Sequence, residues 1–159
     1  MGTRGEALAT RFEAKAAELT AAIEGLSEAE WKKVTTAEQW SVGVTAHHAA
    51  GGHEQIANLV KTVAAGRSVP NLTLDMLHEM NAKHSREFAH CTKAETLELH
   101  KRGVAAASAI IRALSDAELD RTGAVLSGRP PITAQQAIEG ILINHMQEHL
   151  ASIQATVAR

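Results

Sequence analysis

A chain of 159 residues with 45% apolar and 21% charged residues is long enough for one domain with a real core, and its net charge of −2 leaves no nucleic-acid footprint. Only 3% of residues are aromatic and there is no Tyr, so Leu, Ile, Val, Met and Ala must fill the interior. The single cysteine, Cys91, excludes an internal disulfide and fits a reducing, cytoplasmic setting; no secretory leader and no membrane-length apolar run (about 18 residues) is visible, and nine histidines stand out against two Trp and two Phe.

Helical signals dominate in chain order. Thr3-Arg4-Gly5-Glu6 has capping-box form and opens a first helix with Leu8, Phe12, Leu19 and Ile23 at helical spacing, Gly25 being its stop. Residues 26–39 read as a connector with a short capped turn at 27–30. A second helix is predicted from near Ser41 to Gly66, with Pro70 in the loop beyond. The third starts near Thr73 and sets Leu77, Met80, His84 and Phe88 on one inward stripe. Thr92-Lys93-Ala94-Glu95, another capping box, opens the fourth, whose stripe is Leu97, Val104, Ile111 and Leu114. Gly123, Gly128, Pro130 and Pro131 make 115–131 a loop, with a short turn at 115–118. Thr133-Ala134-Gln135-Gln136 caps the last helix, which runs to about Thr156. No alternating strand pattern, repeat or low-complexity segment competes. The expected fold class is therefore all-α: one domain over 1–159, a four-helix bundle with long connections and an additional short helix, the third helix able to kink into the fourth.

Helix phase separates the histidines. His48 shares a face with Gly52, Ile56, Leu59 and Val63 and is predicted to point inward. His47 shares a face with Gly51, Glu54, Asn58 and Lys61 and is predicted to be a surface residue; His53 lies between the two faces. In the last helix Ile138, Leu142, His145, His149 and Ile153 form one stripe, opposite Gln147, Ala151, Gln154 and Ala158. His145 and His149, four residues apart, sit on one face about 5–6 Å apart at Cβ. Unpartnered imidazoles in such surroundings are costly.

A metal ion is one way to satisfy them. If the second and last helices are neighbours, His48, His145 and His149 make a three-nitrogen set with a coordination position left open, the pattern of catalytic metal sites. Zinc and nickel are the leading candidates, with iron and manganese as alternatives, because imidazole suits several of these metals. His84 on the third helix is either an additional site group, as fourth ligand or acid/base, or a hydrogen-bonded core histidine. The plain alternative for the whole set is histidines bonded to backbone or to neighbours. Other chemistries find no support: there is no HExxH, a single ExxH (Glu87 to His90), no P-loop, no GxGxxG and no nucleophile elbow. Cys91 reads as an ordinary cysteine at a helix end.

Trp40-Ser41-Val42, with a histidine eight positions after the Trp, resembles the opening of the second helix in DinB-like (YfiT-like) proteins, and Asn144-His145-Met146-Gln147-Glu148-His149-Leu150 resembles that family's closing HxxxHL motif. The order and spacing of five helices match too, so the likeness covers nearly the whole chain. Gly43-Val44-Thr45 departs from it, standing where bulkier residues are usual. The resemblance implies an up-down-down-up-type four-helix bundle holding a divalent metal, with His48, His145 and His149 in the ligand positions. It also implies kinship with thiol-dependent S-transferases and the mycothiol-dependent maleylpyruvate isomerase, and a homodimer. The expectation is a metal-dependent enzyme acting on a small-molecule substrate, as a thiol transferase with a low-molecular-weight thiol cosubstrate or as a hydrolase, with no nucleic-acid or membrane partner. The alternative is a non-catalytic binding or interaction bundle whose inward histidines are structural.

Overall fold

The computed structural model describes residues 3–69 and 71–159. The side chain of Thr3 and all of Pro70 lie outside the described residues, and with them the first capping box and the loop proline.

The helices are α1 (Thr3–Glu24), α2 (Glu28–Lys32), α3 (Val42–Ala64), α4 (Leu74–Glu87), α5 (Lys93–Arg112), α6 (Asp116–Leu119), α7 (Ala134–Ala137) and α8 (Asn144–Val157). A π-helical stretch, Ile138–Ile143, joins α7 to α8 without a break. Side-chain oxygens of Ser27, Ser41, Thr73, Thr92, Ser115 and Thr133 each accept a backbone N–H at a helix start. At Ser27, Thr92, Ser115 and Thr133 a Glu or Gln three residues on completes the box. The short turns expected at 27–30 and 115–118 are thus the starts of α2 and α6.

Four long rods form the bundle. α3 packs on α5 and α8, and α1 closes the ring against the same two helices. Phe12, Leu19, Ile23, Ile111, Leu142, Met146 and Ile153 are fully buried between them, each contributing about 1.5–3 kcal/mol relative to exposure. Two strands of two residues, Thr122–Gly123 (β1) and Ile132–Thr133 (β2), pair antiparallel, β1 inside the stretch expected to be loop and β2 just after it, at the cap of the last helix. They are too short to show alternation in sequence.

Three expected stripes are corrected. The deepest line on α3 runs through Ala46, Ala49, Ala50, His53, Ala57, Val60 and Ala64, while Ile56 and Leu59 are half-buried. On α5 the buried positions are Thr96, His100, Gly103, Ala107, Ser108 and Ile111, with Leu97 and Val104 at the margin. In both helices small and polar residues take most of the deepest positions, alongside Val60 and Ile111, while Ile56, Leu59, Leu97 and Val104 fill the flanks. α4 has no buried residue; Met80 is 53% exposed, and the helix ends at Glu87 rather than kinking into α5. Gly43 has a steric reason for its identity: a Cβ there would lie 2.4 Å from the Trp31 indole. That indole donates its N–H to the Cys91 carbonyl.

His53 and His100 bond across the core, Nε2 to Nδ1 at 2.9 Å, and His100 Nε2 donates to the Ala16 carbonyl at 3.0 Å. A carbonyl only accepts, so His100 carries its hydrogen on Nε2 and receives one from His53. Burial pushes His53 down to about 3, and it lowers His100 as well. Above about pH 6.5 this has no effect on stability. Below it an unfolded His53 takes up a proton that the folded ring refuses, so stability falls from about pH 6.5 towards about pH 3. The unfolding free energy of the wild type, followed by denaturant titration at several pH values, is expected to drop more steeply over that window than that of His53→Asn. Parallel curves would remove His53 from the acid sensitivity.

Candidate metal centre

The site begins with a short connector. Val34 bridges to Ser41, Thr35 N–H donates to the Trp40 carbonyl at 2.8 Å, and Gln39 adopts a left-handed φ of 61° at the bend. Ser41 then caps α3, so Trp40, at the edge of this loop, lies T-shaped against His48, with ring centroids 5.1 Å apart.

From the other side, the π stretch widens the last helix just before His145. The deepest line continues from Ile138 and Leu142 to Met146, Leu150 and Ile153, leaving His145 and His149 half-buried on its flank. Single π turns inside α-helices recur at functional sites.

His48, His145 and His149 come together. Each offers one ring nitrogen, and these atoms lie within 4.8 Å of one another. His145 Nε2 is 3.0 Å from His48 Nε2. The His48 ring stands 4.9 Å from each of the other two, which are 4.6 Å apart, all edge to face. Burial, reinforced by the neighbouring imidazoles, pushes His48 down to about 3 and His145 to about 4. Both are therefore neutral near pH 7 with a lone pair to give, the protonation state that a metal ligand needs. The donor set suits a divalent ion of the zinc and nickel type.

Behind His149 sits Glu38, which no periodicity marks because it lies in irregular chain. Its Oε1 accepts from His149 Nδ1 at 2.9 Å and its Oε2 from Ser152 Oγ at 2.7 Å. Burial alone would raise its carboxyl; the contacts with Ser152, Thr35 and His149 together outweigh this and hold it below the usual range.

His47 is corrected: it is 7% exposed rather than on the surface. Its ring stacks on Phe88 with centroids 4.2 Å apart, and its Nδ1 lies 2.8 Å from His84 Nε2. The cause is α4, whose C-terminal end covers the side of α3 that the sequence made wet; the wet side starts only at Glu54. His84 stands 5.3 Å from the His48 ring, but its Nε2 is engaged by His47, and it is not among the converging three. His53 belongs to the core pair. Cys91 donates to the Gly43 carbonyl at 3.4 Å, and burial raises its thiol, as for an inert cysteine.

The sequence matches the family model described as "DinB superfamily" over residues 11–153. No curated protein matches it. Among solved structures, YfiT from Bacillus subtilis, described as "a probable metal-dependent hydrolase with an unusual four-helix bundle topology", is similar with a TM-score of 0.80 at 18% identity, over 100% of this chain and 89% of that one. The mycothiol-dependent maleylpyruvate isomerase is similar with a TM-score of 0.70 at 16% identity, over 94% of this chain. A mutant of that isomerase gives 0.69 at 15%. This chain spans 60% of the isomerase's length. At these identities the likeness is one of fold.

Gly52 makes room for the site. A Cβ on it would lie 2.8 Å from His145 Cε1, so the mid-helix pair Gly51-Gly52 was the sequence signal for a close approach. Gly52→Ala removes a helix-interior glycine, worth about 1 kcal/mol in propensity, yet must push the His145 ring away from His48. The expected outcome is no gain in unfolding free energy and shifted His145 side-chain resonances. A full gain with unmoved resonances would show that the ring did not need the space.

Proposed function

This chain belongs to the DinB superfamily, and for it we propose a divalent-metal-dependent enzyme acting on a small molecule, with the ion held by His48, His145 and His149. One observation carries the proposal: three histidine ring nitrogens from two helices converge within 4.8 Å of one another. A divalent ion with three protein ligands keeps a position open and lowers the pKa of water or of a thiol placed there, which supports hydrolysis or thiol transfer.

Other rings of the chain lie beside the three histidines. Trp40 and His48 form one wall and His84 stands beside them, with Phe88 and His47 beyond. We place a small electrophile or ester on this side of the three histidines, where Trp40 and Phe88 supply the aromatic faces. The hydrolase version is supported by the likeness to YfiT, and the thiol version by the likeness to the mycothiol-dependent isomerase. Zinc or nickel is the ion proposed. No helix among the described residues is long and apolar enough to cross a membrane, and a cytoplasmic location goes with the single half-buried cysteine.

Elemental analysis of untagged protein is expected to find stoichiometric divalent metal, with chelation lowering the thermal midpoint by mass action. His48→Ala is expected to lose the metal and His47→Ala to keep it, because His47 is occupied with His84 and Phe88. The proposal fails if wild-type protein stays metal-free after supplementation, or if the two variants behave in the opposite order. Unchanged thermal stability and ligand binding after chelation would favour a non-catalytic bundle with structural histidines.

A further inference from the structure

We infer that Glu38 is the positioning residue of the histidine site: it dictates which nitrogen of His149 carries the hydrogen, and so which one is offered to the ion. The inference rests on the metal reading of His48, His145 and His149.

The hydrogen bonding leaves little freedom. A carboxylate only accepts, so the 2.9 Å contact from Glu38 Oε1 requires the hydrogen on His149 Nδ1. A neutral ring then has its lone pair on Nε2, the nitrogen of that ring that Glu38 does not engage. Ser152, one helical turn after His149, donates to the other oxygen at 2.7 Å. The carboxylate is thus held at both oxygens by α8, and the two side chains of the His149–Glu38 pair are only 13% and 11% exposed. Among the described residues no other acidic side chain bonds a ring of the three histidines.

The loop gives the carboxylate a fixed support. The Val34–Ser41 bridge, the Thr35–Trp40 backbone bond and the bond from Gln39 Nε2 to the Thr36 carbonyl at 2.8 Å close the turn that carries Glu38. The same turn delivers Trp40 to His48. One connector of irregular chain therefore orients histidines on two different helices. Carboxylates behind ligating histidines fix the ring and strengthen it as a donor.

The test is Zn2+ titration by calorimetry and the visible spectrum of the Co2+ form, on wild type, Glu38→Ala, Glu38→Gln and His149→Ala. Glu38→Ala is expected to weaken Zn2+ binding by about 10–100-fold and to alter the Co2+ bands. Glu38→Gln, whose amide oxygen can still accept from Nδ1, is expected to recover most of the affinity. Adding Glu38→Ala to His149→Ala should cost nothing more. A role confined to holding the loop would lower the thermal midpoint and leave Co2+ bands and Zn2+ affinity alone. Affinity within about threefold of wild type in Glu38→Ala, or an equal loss on the His149→Ala background, overturns the inference. Long-range proton–nitrogen NMR of metal-free wild type adds a readout that needs no variant: the Nδ1–H tautomer of His149 is expected, and an Nε2–H tautomer overturns it. Failure of wild type to bind either ion would instead overturn the metal reading, and this role with it, whatever the tautomer.

Discussion

Each of the three histidines on α3 meets a histidine from a different helix: His47 meets His84 of α4, His48 meets His145 of α8, and His53 meets His100 of α5. An imidazole taken out of water must find a hydrogen-bond partner or lose several kcal/mol in order of magnitude. A neutral ring both donates and accepts, so each pair satisfies one nitrogen of each ring without a charge entering the core, while Nδ1 of His53, His84 and His145 is left without a partner among the described residues. The aliphatic interior enforces that neutrality, and the rings enforce it on one another. Helix packing and site chemistry therefore depend on the same pairs. Assembling the bundle brings ring nitrogens together, and the pair that includes α8 is the one that acquires a third ring.

The helix starts were legible because their signals are local. The cap at Ser41 and the boxes at Thr92 and Thr133 need only a few consecutive residues, and they stand where the sequence put them. The HxxxH stripe was legible too, since Gln147, Ala151 and Gln154 on the opposite face are exposed as expected. Phase was less informative on α3. A one-sided amphipathic pattern identifies a wet face only when one side of a helix is covered, and α3 touches α5, α8, α2 and α4. His47 was misplaced for that reason, while His48 was placed beside α8. On α5 the large apolar residues drew attention away from Gly103, Ala107 and Ser108, which allow close approach.

Glu38, Ser152 and Gly52 were not legible as site residues, for different physical reasons. Glu38 sits where the chain has no period. Ser152 is an ordinary half-buried residue of α8 until a carboxylate from a distant loop is placed over it. Gly52 stood on the face of His48, but nothing local to it marked a space reserved for a ring. The centre thus has ligand candidates on regular helices, where sequence period finds them, and supports on irregular chain, where only the closed turn fixes their direction.

The π-helical stretch at Ile138–Ile143 has a consequence for comparing related chains. Hydrogen bonds of the i→i+5 kind hold more residues per turn than those of an α-helix. Positions after the stretch are therefore offset from the frame that the preceding residues define. A relative with an uninterrupted α-helix here would hold its two histidines over α3 with one residue fewer. An alignment that forbids gaps inside helices would then set His145 and His149 against the wrong neighbours. A single-residue gap near Gly140 is the structurally faithful alignment in such a case, and the spacing from the last capping box to the first histidine becomes a marker that separates the two kinds of chain.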